Sequence, residues 1–425
     1  MRSLSNVLNE RLKPYTDALK GSIVDAEMFR SCFMCTCDTT LTPTEDGGLF
    51  VITGDIPAMW LRDSSAQLMH YVRFADDAYV ADAIKRLLET QARLILVDPY
   101  ANSFNISANG RHCHANKDTP APGDQVWERK YELDSLCWPL HLAGRYYEKT
   151  GDLSFATDTY MRALKTIVDL CELETRHERS EYYFLRSGSR DTLDNGGHGA
   201  QVGYTGMVWS GFRPSDDRCA LHYPVYSNLL AKKVMGFAAR VFEAKGDAAY
   251  AAKCRALASG IHEGIQKYAL VEHKRCGRIY AYETDGLGQH VLMDDANMPS
   301  LLSLPLFGIC GKDDTLYRNT RAFVLSPDNK YYYEGAYARG VGSPHTPEGY
   351  IWPLALCARM MTAESRDEAE QTLRMLISTH AGTGRMHESF DPNKPEKFTR
   401  EWFAWADSVF ADSVCTLIET DALPA

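Results

Sequence analysis

Five stretches of the chain place carboxyl groups, aromatic rings and basic side chains within a few residues of one another. TGDIPAMWLRDSSAQ (53–67) carries Trp60, Arg62 and Asp63. WERKYELDS (127–135) carries Glu128, Lys130, Tyr131, Glu132 and Asp134. WSGFRPSDD (209–217) ends in Asp216 and Asp217. HTPEGY (345–350) offers His345, Thr346 and Glu348, and GRMHESFD (384–391) offers His387 and Glu388. Acids delivered from separate loops among aromatics suit glycoside hydrolysis, in which one acid protonates the leaving oxygen and another activates water or attacks. An aromatic face covers the apolar C–H side of a sugar, while Arg and Asp fix its hydroxyls in direction. Two adjacent acids in a tight turn cannot both face one cleft. One of Asp216 and Asp217 is expected to face substrate and the other to brace the loop or bind Arg213. A carboxyl beside Trp209 and Phe212 is expected to be partly desolvated, with its pKa raised as a general acid requires. Each stretch also has a plainer reading. These are a buried Trp beside a structural Arg–Asp pair, an i,i+4 pair of Lys130 and Asp134 on a helix starting near Arg129, and a helix N-cap with a spare Asp.

Other chemistries find less support. His345, His387 and a carboxylate could ligate a metal. The zinc-protease spacing is nevertheless missing, because Asp391 stands where the second His would be. Cys32, Cys35 and Cys37 form one cluster without a second pair of comparable spacing, so small apolar thiols at a helix end are the better expectation. No phosphate loop, no GxSxG elbow and no dinucleotide fingerprint is found. Within carbohydrate chemistry, an epimerase using His345 and His387, a lyase, a glucosidase and a non-catalytic glycan-binding protein remain alternatives.

The elements that must hold these loops are mostly helices. Apolar periodicity places them at about 2–19, 22–37, 63–76, 79–96, 131–149, 154–175, 224–244, 247–269, 298–308, 313–323, 348–361, 365–379 and 401–420. Several junctions resemble one another, around Ala75-Asp76-Asp77, Gly151-Asp152, Gly246-Asp247 and Glu364-Ser365. At each, a striped helix ends in Gly or a polar turn and Asp or Ser is placed to cap the next, a degenerate repeat of helical hairpins. Asp63 or Ser64 is expected to cap the helix that follows Trp60. Between hairpins lie loops at about 98–130, 186–223, 280–300, 326–347 and 380–400, with short strands near 181–185 and 278–282. A closed α/α toroid gathers such loops into one central cleft, whereas a solenoid joins its helices by short regular connections.

The 425 residues show no Gly/Ser-rich or charged linker, and one domain over 1–425 is expected. A net charge of −10 argues against nucleic acid and against an anionic membrane surface as partner. No apolar run is long enough to span a bilayer. The N-terminal stretch lacks an apolar signal core and reads as an amphipathic helix with Leu4, Val7, Leu8 and Leu12. The 12 cysteines are scattered and sit mostly in apolar helical contexts, so buried free thiols and a cytoplasmic protein are expected.

Longer motifs now stand out in order: TGDIPAMWLRDSSAQ, DPYANSFN (98–105), WERKYELDSLCWPL (127–140), TGMVWSGFRPSDD (205–217), DGLG and MDDANMPSLL (285–302), GSPHT (342–346), IWPLAL (351–356) and GTGRMHESF with REWFAWA (382–406). Together, over about residues 45–410, they resemble glycoside hydrolase family 125, whose members are exo-α-1,6-mannosidases. The resemblance implies an all-α (α/α)6 barrel, inversion at the anomeric carbon, no metal or other cofactor, and a mannose-containing oligosaccharide as substrate. It implies Asp216 as general acid, with Asp217 as the fallback, and Glu388 as general base. Arg62 and Asp63 would hold mannose hydroxyls, with Trp60, His345 and Thr346 lining the same pocket. Glu128, Lys130 and Tyr131 would contribute less directly. Pro347 and Glu348 depart from the family's aromatic residues, and the 106–125 segment also diverges. Both differences bear on a subsite beyond the cleaved bond.

Overall fold

The computed structural model describes residues 3–115 and 117–423. Helices dominate it: α1 (Leu4–Ala18), α2 (Ala26–Cys35), α3 (Leu61–Met69), α4 (Ala78–Val97), α5 (Leu133–Thr150), α6 (Asp158–Glu174), a one-turn α7 (Asp194–Gly197), α8 (Val225–Ala244), α9 (Ala248–Tyr268), α10 (Thr315–Val324), α11 (Pro353–Met361), α12 (Arg366–Ser378) and α13 (Ala404–Glu419). The junction residues do cap several of them. Asp77 accepts from the Tyr79 amide at 2.9 Å, Asp247 from Tyr250 at 3.2 Å and Ser365 from Glu368 at 3.1 Å. In the 150–158 turn the cap is Thr157, which accepts from Tyr160 at 3.1 Å. Gly151 there takes φ +68°, the left-handed stop of α5.

The helices form two concentric layers. Inside, α13 packs on α3, α3 on α5, α5 on α8, and α11 on α13. Outside stand α2, α4, α6, α9, α10 and α12. The hairpin partners α8 and α9 are the most intimate pair, and α11 and α12 pack on each other in the same way. The sixth inner place belongs to 298–308, where Trp138 of α5 donates to the Met298 carbonyl at 3.4 Å and packs on Phe307, and Tyr317 of α10 donates to the Leu302 carbonyl at 2.7 Å. This is an (α/α)6 barrel with one inner helix replaced. The expected helix at 298–308 is a run of turns. Its backbone finds other partners. Buried Asp294 accepts from the Leu301 and Leu302 amides at 2.9 Å each, Ser303 Oγ accepts from the Ser300 amide at 2.8 Å, and Pro305 has no amide to give.

Short strands sit in the loops at one end of the ring. Met59–Trp60, Ser103–Phe104 and Val126–Glu128 form one antiparallel sheet, with Trp60 opposite Ser103 and Ser103 opposite Glu128. Ser389–Asp391 pairs with Lys394–Thr399, with Ser389 opposite Thr399. The strand expected at 278–282 is Gly277–Tyr280, paired with Leu270–His273. That near 181–185 is only Leu185–Arg186, paired with Asp118–Thr119. No described helix is long and apolar enough to cross a membrane.

Candidate active site

Trp60 ends its strand in extended geometry and Leu61 opens α3. No side chain caps this helix. Asp63 sits in its first turn, and Ser64 and Ser65 donate instead to the Leu61 carbonyl at 3.3 and 2.8 Å. The expected cap is therefore absent, and the helix start is spent on delivering Arg62. Arg62 is 2% exposed. Nη1 donates to Glu132 Oε2 at 2.7 Å and Asp134 Oδ2 at 3.2 Å, Nη2 donates to Asp216 Oδ1 at 3.3 Å, and Nε lies 3.5 Å from Asp63 Oδ2. One fixed cation thus gathers acids from three loops. A buried charge of this kind is tolerable only because it is paired on every side.

Asp216 comes from a turn closed by its own amide on the Arg213 carbonyl at 2.9 Å, and it takes φ +63°. A non-glycine residue in that region costs about 1–3 kcal/mol, so the surrounding bonds must hold it. They are Trp60 Nε1 at 3.3 Å, Arg62 Nη2 at 3.3 Å and Asn102 Nδ2 at 3.2 Å, all on Oδ1. Lys130 Nζ donates to the Asp216 carbonyl at 2.7 Å. Asp217 turns the other way, accepting from Ser215 Oγ at 3.0 Å, with His345 Nδ1 at 3.7 Å. It braces the turn and does not line the cleft. The Arg213 amide donates to the Asp217 carbonyl at 2.8 Å, while the Arg213 guanidinium pairs with Glu283 at 2.5 Å.

Glu388 lies beside this group, its amide donating to the Thr399 carbonyl at 3.3 Å and its carboxyl 3.6 Å from Arg400 Nη1. Arg400 takes φ +44° and is itself tied to Asp55 at 2.5 Å and Thr53 Oγ1 at 3.1 Å. The loop before Glu388 is anchored to α13 and α2. The Met386 amide donates to Asp407 Oδ1 at 2.8 Å, Arg385 donates to Asp407 Oδ2 at 3.0 Å, and Cys32 donates to Asp407 Oδ1 at 3.3 Å.

Trp60, Arg62, Asp63, Asp216, His345, Thr346 and Glu388 line one cleft of about 260 Å³. The sequence brought these seven forward, and the fold brings them together. Glu128, Lys130 and Tyr131 do not line it. Glu128 is held by Arg186 at 2.9 Å and Asn102 at 3.0 Å. Lys130 supports the Asp216 turn and Asp191. Tyr131 is 1% exposed and packs on Tyr100, Tyr182 and Trp209. Helix α5 begins at Leu133, so Lys130 and Asp134 are not an i,i+4 pair; extended backbone at Glu132, bridged to Phe212, precedes it. His387 is also remote, stacked on Phe398 at 3.7 Å with Nε2 3.4 Å from the His380 carbonyl, so it makes no ligand set with His345.

Arg400, Asn297, Trp352 and Trp405 line the cleft and had not been singled out. All lie inside the long motifs, and REWFAWA already held Arg400 and Trp405. Trp352 donates to Thr346 Oγ1 at 2.9 Å and so fixes that side chain. Trp405 packs edge to face on Trp138 at 6.2 Å, and Trp138 faces a second cavity of about 70 Å³ between α3, α5, α13 and the 298–308 turns. The two indoles separate the cleft from the ring's interior, so the cleft is closed at its depth.

The electrostatics depart from expectation at Asp216. Burial drives its pKa up, but Arg62 foremost, then a hydrogen bond with Glu132 and the charges of Lys130 and His345, hold it below the usual carboxylate range. Neither Trp209 nor Phe212 contacts this cleft. Burial raises Asp63 to about 6 and Asp134 to about 6 against the pull of Arg62, and raises Glu132 well above the usual range. His345 is raised to about 9. Burial lowers it, but the hydrogen bond and charge of Asp217, with the charges of Asp216 and Glu388, outweigh that.

Among the described residues, Cys113, His114 and Glu128 could bring metal-ligating atoms together. Arg186 and Lys130 already flank that carboxylate, at 2.9 and 3.5 Å, and their charges oppose a cation there. Cys35 and Cys37 are unpaired thiols that burial pushes up to about 12, as expected of small apolar residues.

Comparison with known proteins agrees over nearly the whole chain. A family model described as metal-independent α-mannosidase, glycoside hydrolase family 125, matches residues 25–415. A Streptococcus pneumoniae metal-independent α-mannosidase, solved as a non-productive complex with α-1,6-mannobiose, superposes with a TM-score of 0.96 at 41% identity. The match covers 99% of this chain and 100% of that one. The meiotically up-regulated gene 157 protein of Schizosaccharomyces pombe is 36% identical over 419 residues, 93% of this chain and 82% of that protein. A Saccharomycopsis fibuligera glucoamylase shares the fold alone, with a TM-score of 0.56 at 11% identity over 91% of each chain.

Proposed function

The chain belongs to glycoside hydrolase family 125, the metal-independent α-mannosidases, and on that premise we propose that it is an exo-acting α-1,6-mannosidase that inverts the anomeric centre. The observation that carries the reading is the meeting of Asp216 and Glu388 in one cleft closed at its depth by Trp405 and Trp138. At about 260 Å³ the cleft is at or below the low end for ligand pockets and suits one terminal sugar. A blind cleft admits a chain end and excludes an internal bond. Trp60, Trp352 and Trp405 offer indoles to the sugar's C–H faces, and Asp63, Arg400 and His345 meet its hydroxyls.

In this reading Glu388 takes a proton from water, which attacks the anomeric carbon from the face opposite the leaving sugar. Asp216 gives a proton to the departing O6. An inverting pair must leave room for that water, roughly 6.5–9.5 Å between carboxyls, where a retaining pair stands about 5–5.5 Å apart. The substrates are α-1,6-linked manno-oligosaccharides, including fragments of N-glycans. The twelve unpaired cysteines support a reducing compartment, the cytoplasm.

Proton NMR of the reaction with α-1,6-mannobiose in the presence of chelator tests this. Early release of β-mannose is expected, with losses of about 10²–10⁴-fold in Asp216→Asn and in Glu388→Gln. Early α-mannose would overturn inversion and the roles of both acids. Turnover of an α-glucoside and not of mannobiose would overturn the substrate.

A further inference from the structure

Asp216 has to carry a proton at the moment the leaving oxygen departs, yet three N–H donors converge on its Oδ1 and Arg62 holds it as a carboxylate. The proton must be stored nearby. Glu132 is 1% exposed, lines no part of the cleft and has no role in the reaction as described so far. Its Oε2 is supplied by Arg62 Nη1 at 2.7 Å and Ser135 Oγ at 2.6 Å. Its Oε1 faces Asn102 Nδ2 at 3.1 Å, and that nitrogen is also 3.2 Å from Asp216 Oδ1 and 3.0 Å from Glu128 Oε2. The Asn102 amide is oriented by the Lys130 N–H, which donates to its Oδ1 at 3.3 Å. Nδ2 therefore has two hydrogens for three carboxyl oxygens. Glu132 and Asp216 thus meet on the same amide nitrogen and on the same guanidinium. Two carboxyl groups crowded on one amide resist ionising together, so at rest a proton is held between them, and a doubly ionised pair draws one back.

Building on the assignment of Asp216 as the acid, we propose that Glu132 is the proton store of the general acid: it rests as a neutral carboxylic acid with its hydroxyl on Oε1, hydrogen-bonded to Asp216, and the pair shares one catalytic proton. The groups facing Glu132 are Arg62, Asp134, Glu128 and Asp216, with Lys130 and Asp63 behind them. Arg62 touches all four of Asp63, Glu132, Asp134 and Asp216, while Lys130 and His345 act on Asp216 and Arg400 on Asp63; no second cation pairs with Glu132 among the described residues, and a proton held there relieves the crowding. Burial, with Asp216 and Asp134 close by, raises Glu132 well above its ordinary range, in agreement.

The step balances. The proton rests on Glu132, passes to Asp216 when the glycosidic oxygen arrives, and bonds to O6 as the bond from the anomeric carbon to O6 breaks. That bond's electron pair leaves with O6. Both carboxyls end as anions against Arg62, the proton of the attacking water ends on Glu388, and exchange with bulk water restores the start. Glu132 acts through Asp216 and is a positioning and proton-holding residue, since substrate does not touch it.

Glu132→Gln keeps the size and an N–H donor but cannot release a proton. With α-1,6-mannobiose, the alkaline limb of the kcat profile is expected to fall by about one pH unit or more, and kcat at neutral pH by at least about tenfold, with KM little changed. With dinitrophenyl α-mannoside, whose leaving group needs no acid, the loss is expected to be within about threefold. Glu132→Asp retains the titratable group and is expected to restore part of the limb; it also serves if the Gln variant fails to fold. An unmoved limb, or equal losses on both substrates, overturns the proton store. Mannobiose hydrolysis that survives Asp216→Asn overturns the acid assignment itself, whatever Glu132 does.

Discussion

His345 shows how the cleft's charge depends on its own acids. The imidazole stands 3.7 Å from Asp217 and within the field of Asp216 and Glu388, which raise it to about 9. Its folded pKa is above the ordinary 6.5, so its contribution to stability is full below pH 6.5 and is lost as pH rises through about 9. The side chain is 37% exposed and solvent weakens the pairing. An imidazole resonance titrating near 9 is expected, absent in His345→Gln, and the stability gap between the two proteins should close above that pH. A resonance titrating near 6.5 would break the link to Asp217. Single residues were legible in the sequence where chemistry and aromatics coincide, as at Trp60, Arg62 and Asp216. Sequence proximity misled at Tyr131 and His387, because packing on Tyr100, Tyr182 and Trp209 and stacking on Phe398 hold these neighbours of site residues away from the cleft. Arg400 had no such signal, since its function depends on a left-handed backbone turn that no neighbouring residue type announces.

The cleft depends on a seam between two elements far apart in sequence. Gly54 bridges Phe403, and the Ala404 amide donates to the Thr53 carbonyl at 3.2 Å, joining the start of the Trp60 loop to the start of α13. Gly54 has φ +132°, and a Cβ there would stand 2.3 Å from the Trp402 carbonyl. Gly54→Ala is expected to cost about 1–3 kcal/mol in denaturant unfolding and to lower kcat/KM further than that stability loss explains. Gly47→Ala, at φ +84° with nothing within 4 Å of its Cβ, should carry the backbone cost alone and leave activity intact. Equal activity in the two variants would mean that the seam does not position the cleft. Most helices were legible from periodicity and caps, since both are local. The 298–308 turns were not. Asp294, Ser300 and Ser303 outbid the helical hydrogen bonds there, and a stretch rich in leucine carries no mark of a carboxylate four residues upstream of it.

At the scale of the whole molecule, the ring is closed by α13, which packs on α2, α3 and α11 and receives the loop before Glu388 through Asp407. Arg73, just after α3, is bound to Asp412 and Glu419 of the same helix. A chain ending before Phe403 is expected to lose the cooperative thermal transition and to aggregate, because α3 and α11 would expose their inner faces. A soluble truncated protein with a sharp transition would show that closure is dispensable. The toroid could be inferred from repeated hairpins separated by long loops, but which helix shuts it lies in packing between distant segments and leaves no local trace. The closing position of α13 has a temporal side as well. A ribosome makes the Asp216 turn some 170 residues before the Glu388 loop, and α13 after both. Until α13 is made, the segments that carry Asp216 and Glu388 lack the helix that closes the ring, and the inner faces of α3 and α11 have no cover.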